Sequence, residues 1–162
     1  MNVKIKKLNE KATIPFKTYE DDFCYDVVAT SCEEVAPNVY KYGIGLAFEI
    51  DKDKKIPMMA GIDVSMGHLV FNSLILSIDF RPRSSVWKTG MMLSNAEGTI
   101  DELYRGEVSA VFYHVMPNMP KYEVGDRIGQ IKLGFTLPME FEEVEELSET
   151  ERGEGGYGST GN

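Results

Sequence analysis

Three short stretches hold side chains that could bind a small anionic ligand. In "NAEGTIDELYRGEV", residues 95–108, Asp101 follows two β-branched residues, Thr99 and Ile100. If Ile100 faces a core, strand alternation puts Asp101 on the opposite face, where a pocket could lie, although a lone aspartate there is usually solvated. Tyr104, three residues on, can wall a small ligand. In "RPRSSVWKTG", residues 81–90, an arginine precedes paired serines. A guanidinium fork with hydroxyls beside it matches phosphate oxygens. The stretch "RGEGGYGSTGN", residues 152–162, has five glycines, an aromatic and two adjacent hydroxyls. It lacks the Gly-Lys-Ser/Thr of a P-loop, and no helix follows to offer its N-terminus. Backbone N–H groups, Arg152, Ser159 and Thr160 could still grip phosphates. Taken alone, such a glycine-rich end is an ordinary mobile tail.

Two further stretches are weaker. Asp26 in "CYDVVA" is a surface carboxylate by default, but it also suits a hydrated magnesium ion, which prefers oxygen ligands and keeps several waters. In "VGDRIGQI", residues 124–131, a Gly-Asp turn leads into a strand carrying Arg127 and Gln130. An ordinary hairpin with a surface arginine is the plain alternative.

The elements that must position these groups read as strands. Residues 39–50, 68–80, 106–115 and 127–135 are alternating or continuously apolar runs rich in β-branched and aromatic residues. The runs "APN", "RPR", "MPNMP" and "VGD" separate them with turn chemistry. The N-terminal "MNVKIKKLNEK" has strand alternation and no apolar core of a secretory signal. Residues 95–108 read as strand, tight turn and strand, with Gly98 supporting the bend. One short helix fits within 86–97, and "FEEVEEL" is open between strand and helix. The pattern predicts an all-β antiparallel sandwich, jelly roll or barrel. With 162 residues, no linker and no repeat, one domain over 1–162 is expected.

Composition narrows the function classes. The net charge is −9, yet residues 140–162 hold eight glutamates against one arginine, so the body is near neutral. No basic stripe suits a nucleic-acid polymer. The longest uncharged stretch, 64–78, is too short to cross a bilayer. Two separated cysteines, Cys24 and Cys32, suit a reduced, cytoplasmic protein, with a disulfide between them as the alternative. His68 and His114 stand apart from each other and from the cysteines, which argues against protein-bound zinc.

In this order and spacing, the five stretches resemble the homotrimeric dUTP pyrophosphatase (dUTPase) family. "YDV" looks like its first motif, "PRSS" the second, "GTIDELYRGEV" the third, "GDRIGQI" the fourth and "RGEGGYGSTG" the fifth. The resemblance runs from about residue 23 to 161. It implies a jelly-roll-like (β-clip) subunit with a flexible C-terminal arm, and a homotrimer whose sites draw motifs from all three chains. It implies hydrolysis of dUTP to dUMP and pyrophosphate with Mg2+. By position, Asp101 matches the base that activates water against the α-phosphorus. Tyr104 matches the tyrosine under the deoxyribose, which leaves no room for a 2′-hydroxyl. Asn95 and the backbone of Gly98, Thr99 and Ile100 match the hairpin that reads uracil. Arg83, Ser84, Ser85 and Gln130 fall at phosphate-contacting positions. Asp26 matches the carboxylate that meets the metal through water. Arg152, Gly158, Ser159 and Thr160 match the γ-phosphate clamp, and Tyr157 stands where a phenylalanine usually stacks on uracil.

There are departures from the pattern. Cys24 replaces the usual glycine before the first motif, and Ser85 replaces a glycine in the second. The stretch from Asp26 to Arg83 is longer than in compact members, with the excess assigned to 51–68. It reads as a solvent loop, or alternatively as a surface for a protein partner in a regulatory module. The related dCTP deaminases place a catalytic glutamate where this chain has Val111.

Overall fold

The computed structural model describes residues 2–51, 75–136 and 139–155. Most of the expected insertion at 51–68, the start of the 68–80 run, and Tyr157, Gly158, Ser159 and Thr160 lie outside the described residues.

Among the described residues ten strands form three antiparallel sheets, giving the expected all-β, jelly-roll-like architecture. The strands are β1 (Val3–Lys7), β2 (Tyr25–Val28), β3 (Ser31–Ala36), β4 (Val39–Gly43), β5 (Leu46–Ile50), β6 (Ile75–Arg81), β7 (Met91–Leu93), β8 (Gly98–Asp101), β9 (Ser109–His114) and β10 (Arg127–Thr136). A short 3-10 helix, Ser84–Lys88, joins β6 to β7. One sheet runs β2-β10-β6-β8, the second β3-β4-β9-β7, and β1 pairs with β5 apart from both.

The two four-stranded sheets meet through an aromatic core. Phe80 of β6 touches Phe112 of β9 edge-on at 6.3 Å between ring centres. Phe112 in turn meets Tyr42 at 5.9 Å and Tyr122 at 5.5 Å, again edge to face. These geometries put positive ring edges against negative ring faces. The Tyr42 hydroxyl donates to the Tyr122 carbonyl at 2.8 Å, so its polar end is satisfied inside the core.

Three expectations change in detail. The run 39–50 is two strands in different sheets, because the chain turns at Gly45 (φ +68°), a left-handed conformation that costs a side chain-bearing residue dearly. A Cβ there would also crowd Asn9, Ala12 and Thr30. The stretch 95–108 is not a simple hairpin: β7 and β8 flank the turn but belong to opposite sheets. Gly98 lies in β8 opposite Phe80, and the left-handed turn residue is Ala96 (φ +52°). The short helix, Ser84–Lys88, starts two residues before the 86–97 window expected for it and overlaps its beginning, and "FEEVEEL" has neither helix nor strand.

Phe112 is fully buried at the junction of the sheets. Phe112→Ala should therefore cost about 3–5 kcal/mol, more than its transfer energy alone, because the rings around it cannot collapse freely. Urea denaturation of the variant against the parent measures this.

Candidate active site

The site residues fall into two groups on one face of the β2-β10-β6-β8 sheet. Directly paired residues share a sheet face. Gln130 of β10 is paired with Asp26 of β2 on one side and Arg81 of β6 on the other. Further along, Lys132 pairs with Asp79, which pairs with Thr99; then Gly134 pairs with Ser77, which pairs with Asp101. The intervening positions Ile131, Phe80, Ile78 and Ile100 face the core. So the alternation argued for Ile100 and Asp101 holds: the isoleucine packs inward and the carboxylate is exposed.

The first group centres on Asp26, which is only 8% exposed. One carboxylate oxygen meets Arg83 Nε at 3.1 Å, and the other accepts from Arg127 Nη1 at 2.9 Å. Arg83 sits just before the 3-10 helix, where Val86 N–H donates to its carbonyl and fixes the turn. Asp26, Arg83, Ser84, Arg127 and Gln130 line a cavity of about 470 Å³ together with Lys17 and Thr18. Ser85 follows Ser84 in the helix but does not line that cavity. Arg127, read from sequence as a plain surface arginine, adds positive charge here, as does Lys17, which the sequence did not single out.

The second group centres on Asp101. With Thr99 it lines another cavity, also about 470 Å³, whose wall includes Asp79, Glu97 and Lys132. Phe23 lines both cavities. Asn95 sits in the turn before β8, its side-chain amide beside Gly98. The backbone of Tyr104 closes a turn onto the Asp101 carbonyl at 3.0 Å, and its hydroxyl donates to the Glu107 carbonyl at 3.0 Å. The ring lies flat against Gly106, where any Cβ would run into it. Among the described residues β8 is the edge of its sheet, so N–H and C=O groups of Gly98–Asp101 on the side away from β6 have no strand partner there.

Among the described residues, the cavity lined by Asp101 is therefore not the one lined by Arg83, Ser84 and Gln130. In the tail, Arg152 Nε donates to the Gly155 carbonyl at 2.8 Å, curling the start of the arm on itself. Among the described residues no three His, Cys, Asp or Glu side chains converge on a metal-sized space. Cys24 and Cys32 are free thiols.

The all-β sandwich is the fold seen in solved phage dUTPases. The Staphylococcus bacteriophage 80alpha dUTPase with dUpNHpp superposes with a TM-score of 0.71 at 20% identity, covering 99% of both chains. The dUTPase from phage phi11 of S. aureus, known for its species-specific insert, gives 0.64 at 16% identity over 93% of this chain and 100% of its own. The dUTPase family model matches residues 72–161. A deoxyuridine 5'-triphosphate nucleotidohydrolase of Clostridium novyi is 34% identical over 163 residues, with 99% of each chain covered. One of Crocosphaera subtropica is 32% identical over 165 residues, again with 99% of each covered. The chain belongs to the dUTPase family.

Asp26 holds two guanidinium groups together. Asp26→Asn should loosen both and cost about 1–3 kcal/mol of stability. Urea midpoints of variant and parent check this, and an unchanged midpoint would show the pairs carry no net stability.

Proposed function

We propose that this enzyme of the dUTPase family hydrolyses dUTP to dUMP and pyrophosphate. Water attacks the α-phosphorus, the water proton passes to the Asp101 carboxylate, and the bond to the β-phosphate bridging oxygen breaks to release pyrophosphate. The observation that carries this reading is the exposed Asp101 on the cavity-lining face of β8, anchored from behind by Ile100.

The other assignments follow from the same arrangement. Arg83, Ser84, Ser85 and Gln130 bind phosphate oxygens, where fixed donors stabilise developing charge. Asn95 and the open backbone edge of Gly98, Thr99 and Ile100 hold uracil. A wrong base leaves a buried polar group unpaired, at roughly 1–3 kcal/mol. Tyr104, held by Glu107 and Gly106, lies under the deoxyribose and excludes a ribose. Arg152, Tyr157, Gly158, Ser159 and Thr160 close over the nucleotide and exclude water, as lids do.

Magnesium fits this donor set as an ion carried by the triphosphate. Each Asp26 oxygen retains accepting capacity beyond its guanidinium contact, so Asp26 can meet a hydrated ion through water. Bound there, magnesium would offset phosphate charge. A structural Mg(II) ion is described for a variant of the phage phi11 dUTPase.

Because the two cavities are separate within one chain, the reading calls for a homotrimer in which one subunit's Asp101 meets another's Arg83, Ser84 and Gln130. The chain is then one domain over 1–162, with an insertion at 51–68 that could meet a protein partner and an arm at 152–162. The free thiols fit a cytoplasmic location. Among the described residues no helix is long and apolar enough to cross a membrane. Deamination of dCTP is disfavoured: Val111, on β9, offers only hydrocarbon where the deaminases carry a glutamate.

Pyrophosphate release from dUTP, dTTP, dCTP and UTP, with and without magnesium, tests the assignment. Turnover should be confined to dUTP and need the metal. Asp101→Asn should keep nucleotide binding and lose about 10²–10⁴-fold in kcat; near-parental turnover would remove Asp101 from the mechanism. Deleting 152–162 should abolish turnover while sedimentation still reports a trimer, and an active truncation would end the lid assignment.

A further inference from the structure

Beside Asp101 lies a largely buried ion pair that the reaction scheme leaves unused. Lys132 Nζ donates to Asp79 Oδ2 at 2.5 Å, and Ser77 Oγ donates to Asp79 Oδ1 at 2.8 Å. The two ionic side chains are only 17% and 11% exposed. The sheet is built around them. A methyl group on Gly134 would come within 2.9 Å of the Asp79 carboxyl carbon and 2.6 Å of the Ser77 hydroxyl. Glycine at that position leaves the network room to lie against β10.

Such a pair is a weak source of stability. Desolvation of both charges offsets most of their attraction, and apolar residues fill the same space at least as well. Its location suggests another purpose. Ser77 stands opposite Asp101, Asp79 stands opposite Thr99, and Asp79, Lys132 and Asp101 line one cavity. The charged groups facing Asp101 there are Asp79 from β6, Lys132 from β10 and Glu97 from the turn before β8. On the loop that follows, Arg105 donates to the Glu102 and Tyr104 carbonyls and lies 3.9 Å from Glu49.

Three carboxylates around one cavity repel, and each charge there disfavours the ionised form of its neighbours. Here Arg81 meets Glu97 at 2.6 Å, and Lys132 meets Asp79. Among the described residues Asp101 is the one of the three with no cationic partner. Burial pulls the Asp79 carboxyl upward, but hydrogen bonds from Lys132 and Ser77, with the charges of Lys132 and Arg81, outweigh it and hold the group below its ordinary range. The negative charge beside Asp101 is therefore present at neutral pH.

We propose that Lys132 and Asp79, tied by Ser77, are positioning residues for the reaction: Lys132 cancels the charge of Asp79, so that Asp101 stays ionised and able to take the proton from water. This rests on Asp101 acting as the base. The signs are opposite for the two partners. Lys132→Met leaves Asp79 uncompensated beside Asp101 and favours protonation there. Asp79→Asn leaves a bare ammonium and disfavours it.

The test is the pH dependence of kcat for dUTP, with full-length protein and magnesium present. The acid limb belongs to the coupled groups together. It should move up by about one pH unit in Lys132→Met and down by about one in Asp79→Asn. The double variant, which restores neutrality, should return it close to the parent, and Lys132→Arg should leave it in place. Limbs that stay put, or that move in the same direction in both single variants, overturn the proposal. If Lys132→Met fails to fold by circular dichroism, Asp79→Asn and the double variant decide it. Asp101→Asn runs in parallel. Lost turnover there with unmoved limbs rejects only the role of the pair, whereas retained turnover rejects Asp101 as base.

Discussion

The pairing register of the β2-β10-β6-β8 sheet is the constraint on which everything else rests. Strand side chains alternate with a period of two, so one register sorts every residue to one face or the other. Here it sends Phe80, Ile78, Ile131 and Ile100 into the core and Asp26, Gln130, Asp79, Lys132 and Asp101 to the opposite side. A slip of one residue would bury the charges and expose the core. The aromatic junction of Phe80, Phe112, Tyr42 and Tyr122 locks that choice, because only one register brings Phe80 against Phe112.

This polar face carries opposite electrostatics at its two ends. Around Asp26 the cations outnumber the carboxylates, and Arg83, Arg127 and Lys17 border a cavity suited to anions. Around Asp101 carboxylates predominate, and each of the others is matched by a cation. The first end has the charge that suits an anion, and the second carries an exposed carboxylate. Among the described residues, Phe23 alone lines both cavities.

Membership of the dUTPase family was legible from five motifs, each short and local, and the family comparison bears it out. The β-rich class and the positions of β1, β9 and β10 were equally legible, since alternation and turn residues act over a few positions. The break of 39–50 at Gly45 was not, because a glycine inside an alternating run looks the same whether the strand continues or changes sheets. Nor was the placing of β8, the one strand within 95–108, in a different sheet from β7 and β9, which depends on partners far away in sequence.

The sequence by itself determined the chemistry on offer: the carboxylate of Asp101 beside Ile100, the Arg83–Ser84 donors, the Asp26 and Gln130 strands and the glycine-rich end. Only tertiary structure decided which of these meet. Asp79 and Lys132 are 53 residues apart, and Asp26 and Arg127 are 101 apart. Nothing local marks either pair, because an ion pair between strands exists only once hydrogen bonding across the sheet has set which residue stands opposite which.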